Sequence, residues 1–475
     1  MKSTINNLEA IRSKQKDVGG SLWVGLGIYP AASGTASPRA NAQAALLWAF
    51  RYPACRSTSI GRYPCRGALL AILFLSTIQV QAQVISLDSV LSIIDRQNPM
   101  LQEYDNKVKA LNAYTEGSKS WMAPMIGAGT FMTPYPNQLL MDERDKGSVM
   151  VSFEQNIPNP AKLNANKKYF ASKASVAEQT RLYQFNMLRA EAKTSYYQWL
   201  VAEQKMHVLH ENEQIIELML KLAKLRYPYN QGSLGNVYKV EGRLSEVQNM
   251  ILMTQGDIEE KSFRLKTLMN LPHDATIMVD TATRIHYEVN QLAYDTAALS
   301  AQRSDVKQID KTIRVMQLNQ QIQSYQAKPD FRIRFDHMQP LGNMPTQFTA
   351  MAMMSIPIAP WSSRMYKSEV KGMQYDIEAM KKGREAILIE TRGMLAGMAA
   401  KLGRMQQQLV NYTTKIIPAL RKNYQTMMLG YEENREQLPI VIDGWEALNM
   451  AQMEYLEKME EYYNMIVAYE KELEK

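Results

Sequence analysis

The spacing of apolar positions along the chain changes period several times. Between Ala161 and Tyr227 there is neither Gly nor Pro. That stretch predicts one helix, about 160 to 227, roughly 100 Å long at ~1.5 Å per residue, which no ordinary globular domain requires. Elsewhere the period drops to two. In "PDFRIRFDH", Phe331, Ile333 and Phe335 alternate with Arg332, Arg334 and Asp336, the pattern of a strand with one oily and one charged face. In "GSVMVSFEQNIP", Val149, Val151 and Phe153 alternate with Ser148, Met150, Ser152 and Glu154.

The same order of elements is predicted twice. Leu225, Tyr227, Asn230, Leu234, Val237, Leu244 and Gln248 recur as identical residues 204 positions later, and Ile157-Pro158 recurs at 356–357. Such self-similarity is the mark of an internal repeat. Each half reads as a first helix (88 to 122; 298 to 327) and two strands (124 to 136 and 147 to 158; 329 to 340 and 346 to 358). A long helix (160 to 227; 361 to 429) and a return helix (236 to 271; 439 to 474) follow. Residues 273 to 297 read as a linker. The expected fold class is mainly α with a small β part, in two tandem repeats, 83–285 and 286–475, each with two strands and long antiparallel coiled-coil helices.

The first part of the chain differs from the rest. Residues 1 to 82 hold nine Lys/Arg and two acids, seven of the formal net charge of +8. The basic balance therefore belongs to the leader, and no nucleic-acid partner is expected. Arg62 and Arg66 precede a mostly apolar run, Ala68 to Val80, and a small-residue site at Ala82. Residues 66 to 82 thus read as a secretory signal peptide. Residues 1 to 65 are an atypical leader, untranslated or unstructured. Both cysteines, Cys55 and Cys65, fall before Gln83, so an exported chain beginning there would rely on packing or oligomerisation rather than disulfides.

Four strands of roughly 8 to 10 residues match the length that crosses a bilayer when tilted. Four strands cannot close a barrel, and open edges do not occur in lipid. Three copies would supply 12 strands, within the range of outer-membrane barrels. Phe331, Ile333 and Phe335 would then face lipid, and Arg332, Arg334 and Asp336 a wet lumen. The competing arrangement is a soluble sheet packed on a coiled coil.

The repeated order of helix, two strands, long helix, loop and helix resembles the TolC family of outer-membrane efflux channels. The most specific segment is "YEENREQLPIVIDGWEALNMAQMEYL", in which Tyr431, Asp443, Leu448, Ala451 and Tyr455 fit the family's loop and return helix. The resemblance implies a homotrimer: a 12-stranded barrel in the outer membrane continued by an α-helical barrel across the periplasm. It also implies a passive duct working with a periplasmic adaptor and an inner-membrane transporter of the resistance-nodulation-division type. Asn230 and Asn434 stand where the family has a loop glycine; Asn tolerates left-handed backbone. Asp443 is the candidate for a gating ring at the periplasmic tip. One acidic position of the family's gate is replaced by Ile440. Leu234-Gly235 and Leu438-Pro439, each an apolar side chain beside a backbone breaker, are candidates for adaptor docking if exposed at the tip.

No enzyme site emerges: there is no helical His-Glu-x-x-His, no Gly-rich phosphate loop and no Gly-x-Ser-x-Gly. No cofactor or resident metal is expected. His207 and His210 stand at i and i+3, a spacing met equally by solvated surface histidines. The chain has 32 Met; Met351, Met353 and Met354 suit lipid-facing or core positions, while thioethers also suit soft metal ions and fit the family's heavy-metal branch. The expected function is the channel component of a tripartite efflux pump exporting small molecules or metal ions. The alternative is a periplasmic coiled-coil scaffold or adaptor with a binding role only.

Overall fold

A computed structural model describes residues 83–135, 139–140, 142–230, 232–280, 285, 287 and 295–475, to which the statements below refer. The leader, the signal segment 66–82, Cys55, Cys65 and His286 lie outside the described residues.

Two helices precede the first strands where one was expected. Ser86 caps α1 (Leu87–Gln97), and Asn98 ends it in extended backbone. Pro99 is the reason: it disfavours helical geometry in the residue before it. Asn98 then caps α2 (Pro99–Gly117) by accepting from the Met100 N–H at 3.0 Å. The second half is likewise corrected, with α5 (Thr296–Gln302) and α6 (Ser304–Ser324) separated by extended Arg303.

The helix α3 (Pro160–Arg226) runs unbroken for 67 residues, capped by Asn159 with Pro in its first turn, where the missing N–H costs nothing. Its counterpart comprises α7 (Pro360–Asn411) and α8 (Ile417–Glu432), joined by a π-helical turn over Tyr412–Ile416. The five glycines of α7 do not interrupt it. The irregularity falls just before Pro418, whose nitrogen cannot donate to the turn behind it. The return helices are α4 (Leu234–Leu268) and α9 (Leu438–Leu473).

Strands β2 (Met125–Phe131), β3 (Ser148–Ile157), β5 (Phe331–Pro340) and β6 (Gln347–Met354) form one antiparallel sheet in the order β2-β3-β5-β6. The outer strands are shorter than the sequence pattern suggested. Its register puts Ile126, Phe153, Phe335 and Ala350 in one row and Met125, Glu154, Arg334 and Met351 in another. Cross-strand partners share a face. One face therefore carries Ile126, Val149, Val151, Phe153, Phe331, Ile333, Phe335 and Phe348, all of them exposed. The other carries the charges. Met351 and Met353 lie on the charged face, opposite Arg334 and Arg332, which corrects their assignment to lipid or core; Met354 lies on the apolar face.

A second, parallel pair joins β1 (Gln83–Ile85) to β4 (Ile277–Val279), so the expected linker contains a strand. Tyr196 of α3 secures it. Its hydroxyl accepts from the Asp280 N–H at 3.2 Å and donates to the Ile85 carbonyl at 3.3 Å. Nearby, Arg303 binds the carboxylates of Asp305 at 2.6 Å and Glu472 at 2.7 Å. Burial lowers the Arg303 pKa, but those two acids outweigh it and hold the pKa above the ordinary value. The end of α9 is thereby tied to the break before α6.

Candidate functional site

Both loops between long and return helices come to one end of the helical bundle. Asn230 and Asn434 adopt left-handed backbone, with φ of 62° and 60°. Leu234 and Leu438 are the first residues of α4 and α9. The loops share a cleft of about 710 Å³, lined by Arg226, Asn230, Ser233, Tyr431, Asn434 and Leu438 among others.

The matched positions differ in environment. Leu234 is 42% exposed, whereas Leu438 is 3% exposed and packs with Ala223, Val237, Val441 and Tyr431 in the apolar core of this end. The expectation that Leu438 presents an exposed docking side chain is overturned. Leu438 is enclosed among residues of α3, α4 and α8, while Leu234 stays exposed. Gly235 is exposed and Pro439 half-buried.

Asp443 projects from α9 and is 68% exposed at its side chain, with the Lys239 ammonium 3.1 Å away. One turn further, the Arg243 guanidinium lies 2.6 Å from the Glu446 carboxylate. Two basic residues of α4 thus face two acids of α9. Behind them, the Trp445 indole N–H donates to Asn212 Oδ1 at 2.8 Å, and Asn212 Nδ2 donates to the Val208 carbonyl at 2.8 Å and to Gln452 at 3.3 Å. This buried chain clamps α9 to α3. Arg226, at the end of α3, donates to the carbonyls of Tyr431 and Glu432 at 2.7 and 3.0 Å. Sequence reading singled out none of Arg226, Lys239, Arg243 and Asn212. Lys239 and Arg243 stand four residues apart and Asp443 and Glu446 three apart, each about one helical turn; that complementarity was the available signal.

On the sheet, Phe331, Ile333 and Phe335 are exposed together on the apolar face. On the opposite face the charges pair internally. Arg332 meets Glu154 at 3.0 Å and Asn156 at 2.8 Å, and Arg334 meets both oxygens of Asp336 at 2.9 and 3.1 Å. Asp336 is 3% exposed.

Among the described residues no group of three or more His, Cys, Asp or Glu could hold a metal ion. His207 and His210 each lie beside a glutamate of their own helix, at 3.4 and 3.3 Å. No described helix is long and apolar enough to cross a membrane.

No family model matches the sequence, and no curated protein matches it. Solved structures do. The chain has the fold of TolC-type outer-membrane channels. It is similar to the outer-membrane channel OprN at 14% identity and a TM-score of 0.67, covering 82% of this chain and 89% of that one. It is also similar to the outer membrane protein VceC of Vibrio cholerae, at 13% identity and 0.65 over 82% and 95% of the two chains. The open state of the Neisseria gonorrhoeae MtrE outer membrane channel aligns at 12% identity and 0.63 over 82% and 88%.

Proposed function

We propose that this protein is the outer-membrane channel of a tripartite efflux pump: a passive trimeric duct that exports small molecules or metal ions. The observation that carries the reading is the four-stranded sheet. One of its faces is largely apolar and exposed, interrupted by Gln155, His337 and Gln339, and both of its edges, β2 and β6, lack partners among the described residues. In lipid every backbone N–H and C=O must be bonded, so such a sheet has to close on other copies. β2 and β6 run in opposite directions, because three antiparallel pairings separate them. The β6 edge of one copy can therefore extend the antiparallel ladder onto β2 of the next, and three copies make an even-stranded barrel. Residues 66–82 would serve as its export signal, and the two halves, 83–285 and 286–475, as its repeats. The helices would continue the duct into the periplasm.

The remaining assignments follow from this orientation. Arg332, Arg334 and Asp336 would face the lumen, and Phe331, Ile333 and Phe335 the lipid. Asp443 would gate the tip. A periplasmic adaptor would dock around Leu234 and Gly235, beside Pro439, and along the helices. Two adjoining grooves of about 630 and 440 Å³, both lined by Arg421 and Gln452, lie between α3, α8 and α9 and would receive a helical hairpin of the adaptor. The inner-membrane partner would be a transporter of the resistance-nodulation-division type.

Fractionation with cross-linking tests the reading. The expected result is an outer-membrane trimer that survives mild detergent, with loss of efflux on deletion of the gene. A mature protein soluble in the periplasm, or a monodisperse monomer in detergent, would overturn it.

A further inference from the structure

The apolar face of the sheet does not stop with the strands. Phe348, Ala350, Ala352 and Met354 share that face by register, and Ile356 and Ile358, both exposed, follow in the segment leading to α7. The Ser355 N–H still donates to the Asp330 carbonyl at 3.0 Å, so extended pairing persists there. Trp361 follows, 87% exposed, at the start of α7, and Trp121 is exposed just before β2. Exposed Trp at the rim of an apolar band is the arrangement found where hydrocarbon meets headgroups.

Immediately beyond this rim the charge changes. The segments joining sheet to helices, 115–122, 158–171, 325–330 and 355–371, contain eight Lys/Arg and three Asp/Glu, although the chain from Gln83 onward is nearly balanced. Lys162 is neutralised by Asp330 at 2.6 Å. Arg364, Lys367 and Lys371 are exposed on one side of α7, where they line a shallow groove of about 470 Å³ with Ser363 and Ser368. Among the described residues, none of these three cations forms an ion pair or a side-chain hydrogen bond. On α3, Lys167 and Lys168 are exposed at a similar distance from the strands.

We propose that this collar, centred on Arg364 and Lys367, binds the phosphate headgroups of anionic phospholipids in the leaflet nearest the helices, with the acyl chains of those lipids lying on the apolar face above. The proposal rests on the membrane reading. The headgroup zone is roughly 5 to 7 Å deep on each side of the hydrocarbon. Arg364 and Lys367 lie within the first two turns of α7, and long basic side chains reach up to that zone from below. Each Lys or Arg near an anionic surface adds a comparable increment of attraction, and the unpaired hydroxyl-flanked cations suit a phosphate diester. Lys371, about 10 Å further down α7 than Arg364, lies at the edge of that reach.

The test uses the full mature protein, purified in mild detergent and offered phosphatidylglycerol or phosphatidylcholine, with retained lipid counted by native mass spectrometry. The expected result is a strong preference for phosphatidylglycerol. In the Arg364→Gln/Lys367→Gln double variant that preference should fall about tenfold or more. In the Lys381→Gln/Lys382→Gln control, further along α7, it should be kept. Inorganic phosphate at millimolar concentration should not displace the lipid. Equal retention of both lipids by the wild type, an unchanged preference in the double variant, or displacement by free phosphate would each overturn the proposal. A protein that inserts into membranes but shows no preference overturns this inference alone; a protein absent from the membrane fraction overturns the reading beneath it.

Discussion

The guanidinium of Arg226 lies 4.2 Å from the centre of the Tyr431 ring and donates to the Tyr431 carbonyl at 2.7 Å. One side chain thus satisfies a carbonyl at the end of α8 and covers the aromatic ring that closes the apolar core of the tip. The two residues come from different halves of the chain, so the contact joins the first helical hairpin to the second. Replacing Arg226 by Ala should destabilise this end by about 2 kcal/mol, the range for hydrogen bonds to a charged donor. Limited proteolysis should then cut between Tyr431 and Leu438 first. Arg226→Lys should recover only part of the loss, because an ammonium lacks the fork that reaches two carbonyls at once. Wild-type proteolysis in Arg226→Ala would show that the contact holds nothing.

The two leucines that begin the return helices should behave differently. Leu438→Ala removes a buried side chain and should cost about 2 to 4 kcal/mol. Leu234→Asp replaces an exposed one and should change stability by less than about 0.5 kcal/mol. If the adaptor docks at Leu234, the Asp variant should lose adaptor cross-linking and resistance while trimer yield is kept. Intact cross-linking would remove Leu234 from the docking surface.

Lys239 and Asp443 form an exposed pair, worth at most about 1 kcal/mol, so neither Lys239→Ala nor Asp443→Ala should affect folding. Their effect should appear in conductance. Each single variant should raise leakage through the isolated channel, and the double variant should add little beyond either one, because both remove the same contact. Unchanged single-channel conductance in all three would end the gating assignment.

Substitutions on the two faces of β5 should do harm for different reasons, and only the charged face should be rescued by a second change. Ile333→Arg should weaken insertion by about 2 to 4 kcal/mol at mid-bilayer. Arg334→Ser should also be damaging, because it strands the nearly buried Asp336 without its partner. The double change Arg334→Ser/Asp336→Ser should recover assembly. Failure of the double variant to exceed Arg334→Ser in trimer yield would contradict the pairing.

Alkaline pH should loosen the tip. Burial raises the phenol pKa values of Tyr424 and Tyr431 above the ordinary 10.0, with Glu432 adding to the first and Arg226 opposing it at the second. The folded state therefore holds these protons more tightly than the unfolded state. Their contribution is complete below pH about 10 and declines as pH rises above it. A Tyr424→Phe/Tyr431→Phe variant should show a shallower fall in denaturant midpoint between pH 9 and 11. An identical slope would refute the linkage.

Much of this was legible in the sequence because it depends on local chemistry. A run of 67 residues without an internal breaker reads as one helix, and α3 is one; alternation over Phe331 to Asp336 reads as a strand with two unlike faces, and β5 has them. Asn230 and Asn434 adopt the left-handed turn that an Asn in a glycine's place tolerates. The misplaced boundaries have local causes too. Pro99 divided a helix read as one, and Pro418 marks the irregular turn that parts α7 from α8.

Partnership was not legible, because it depends on which elements meet. Leu234 and Leu438 occupy the same position in two matched segments and begin equivalent helices. Sequence alone determined that both would stand just after a tight turn. Only the tertiary structure decided that the start of α9 packs into an apolar core shared with α3, α4 and α8, burying Leu438, while Leu234 at the start of α4 stays exposed. The charges follow the same rule. Alternation determined that Arg334 and Asp336 share a face. Folding decided that they bond to each other, and that Asp443, readable as a lone acid, stands opposite Lys239 from a helix some 200 positions away. Periodicity is a property of one segment and is written in it, whereas burial and pairing belong to the space between segments.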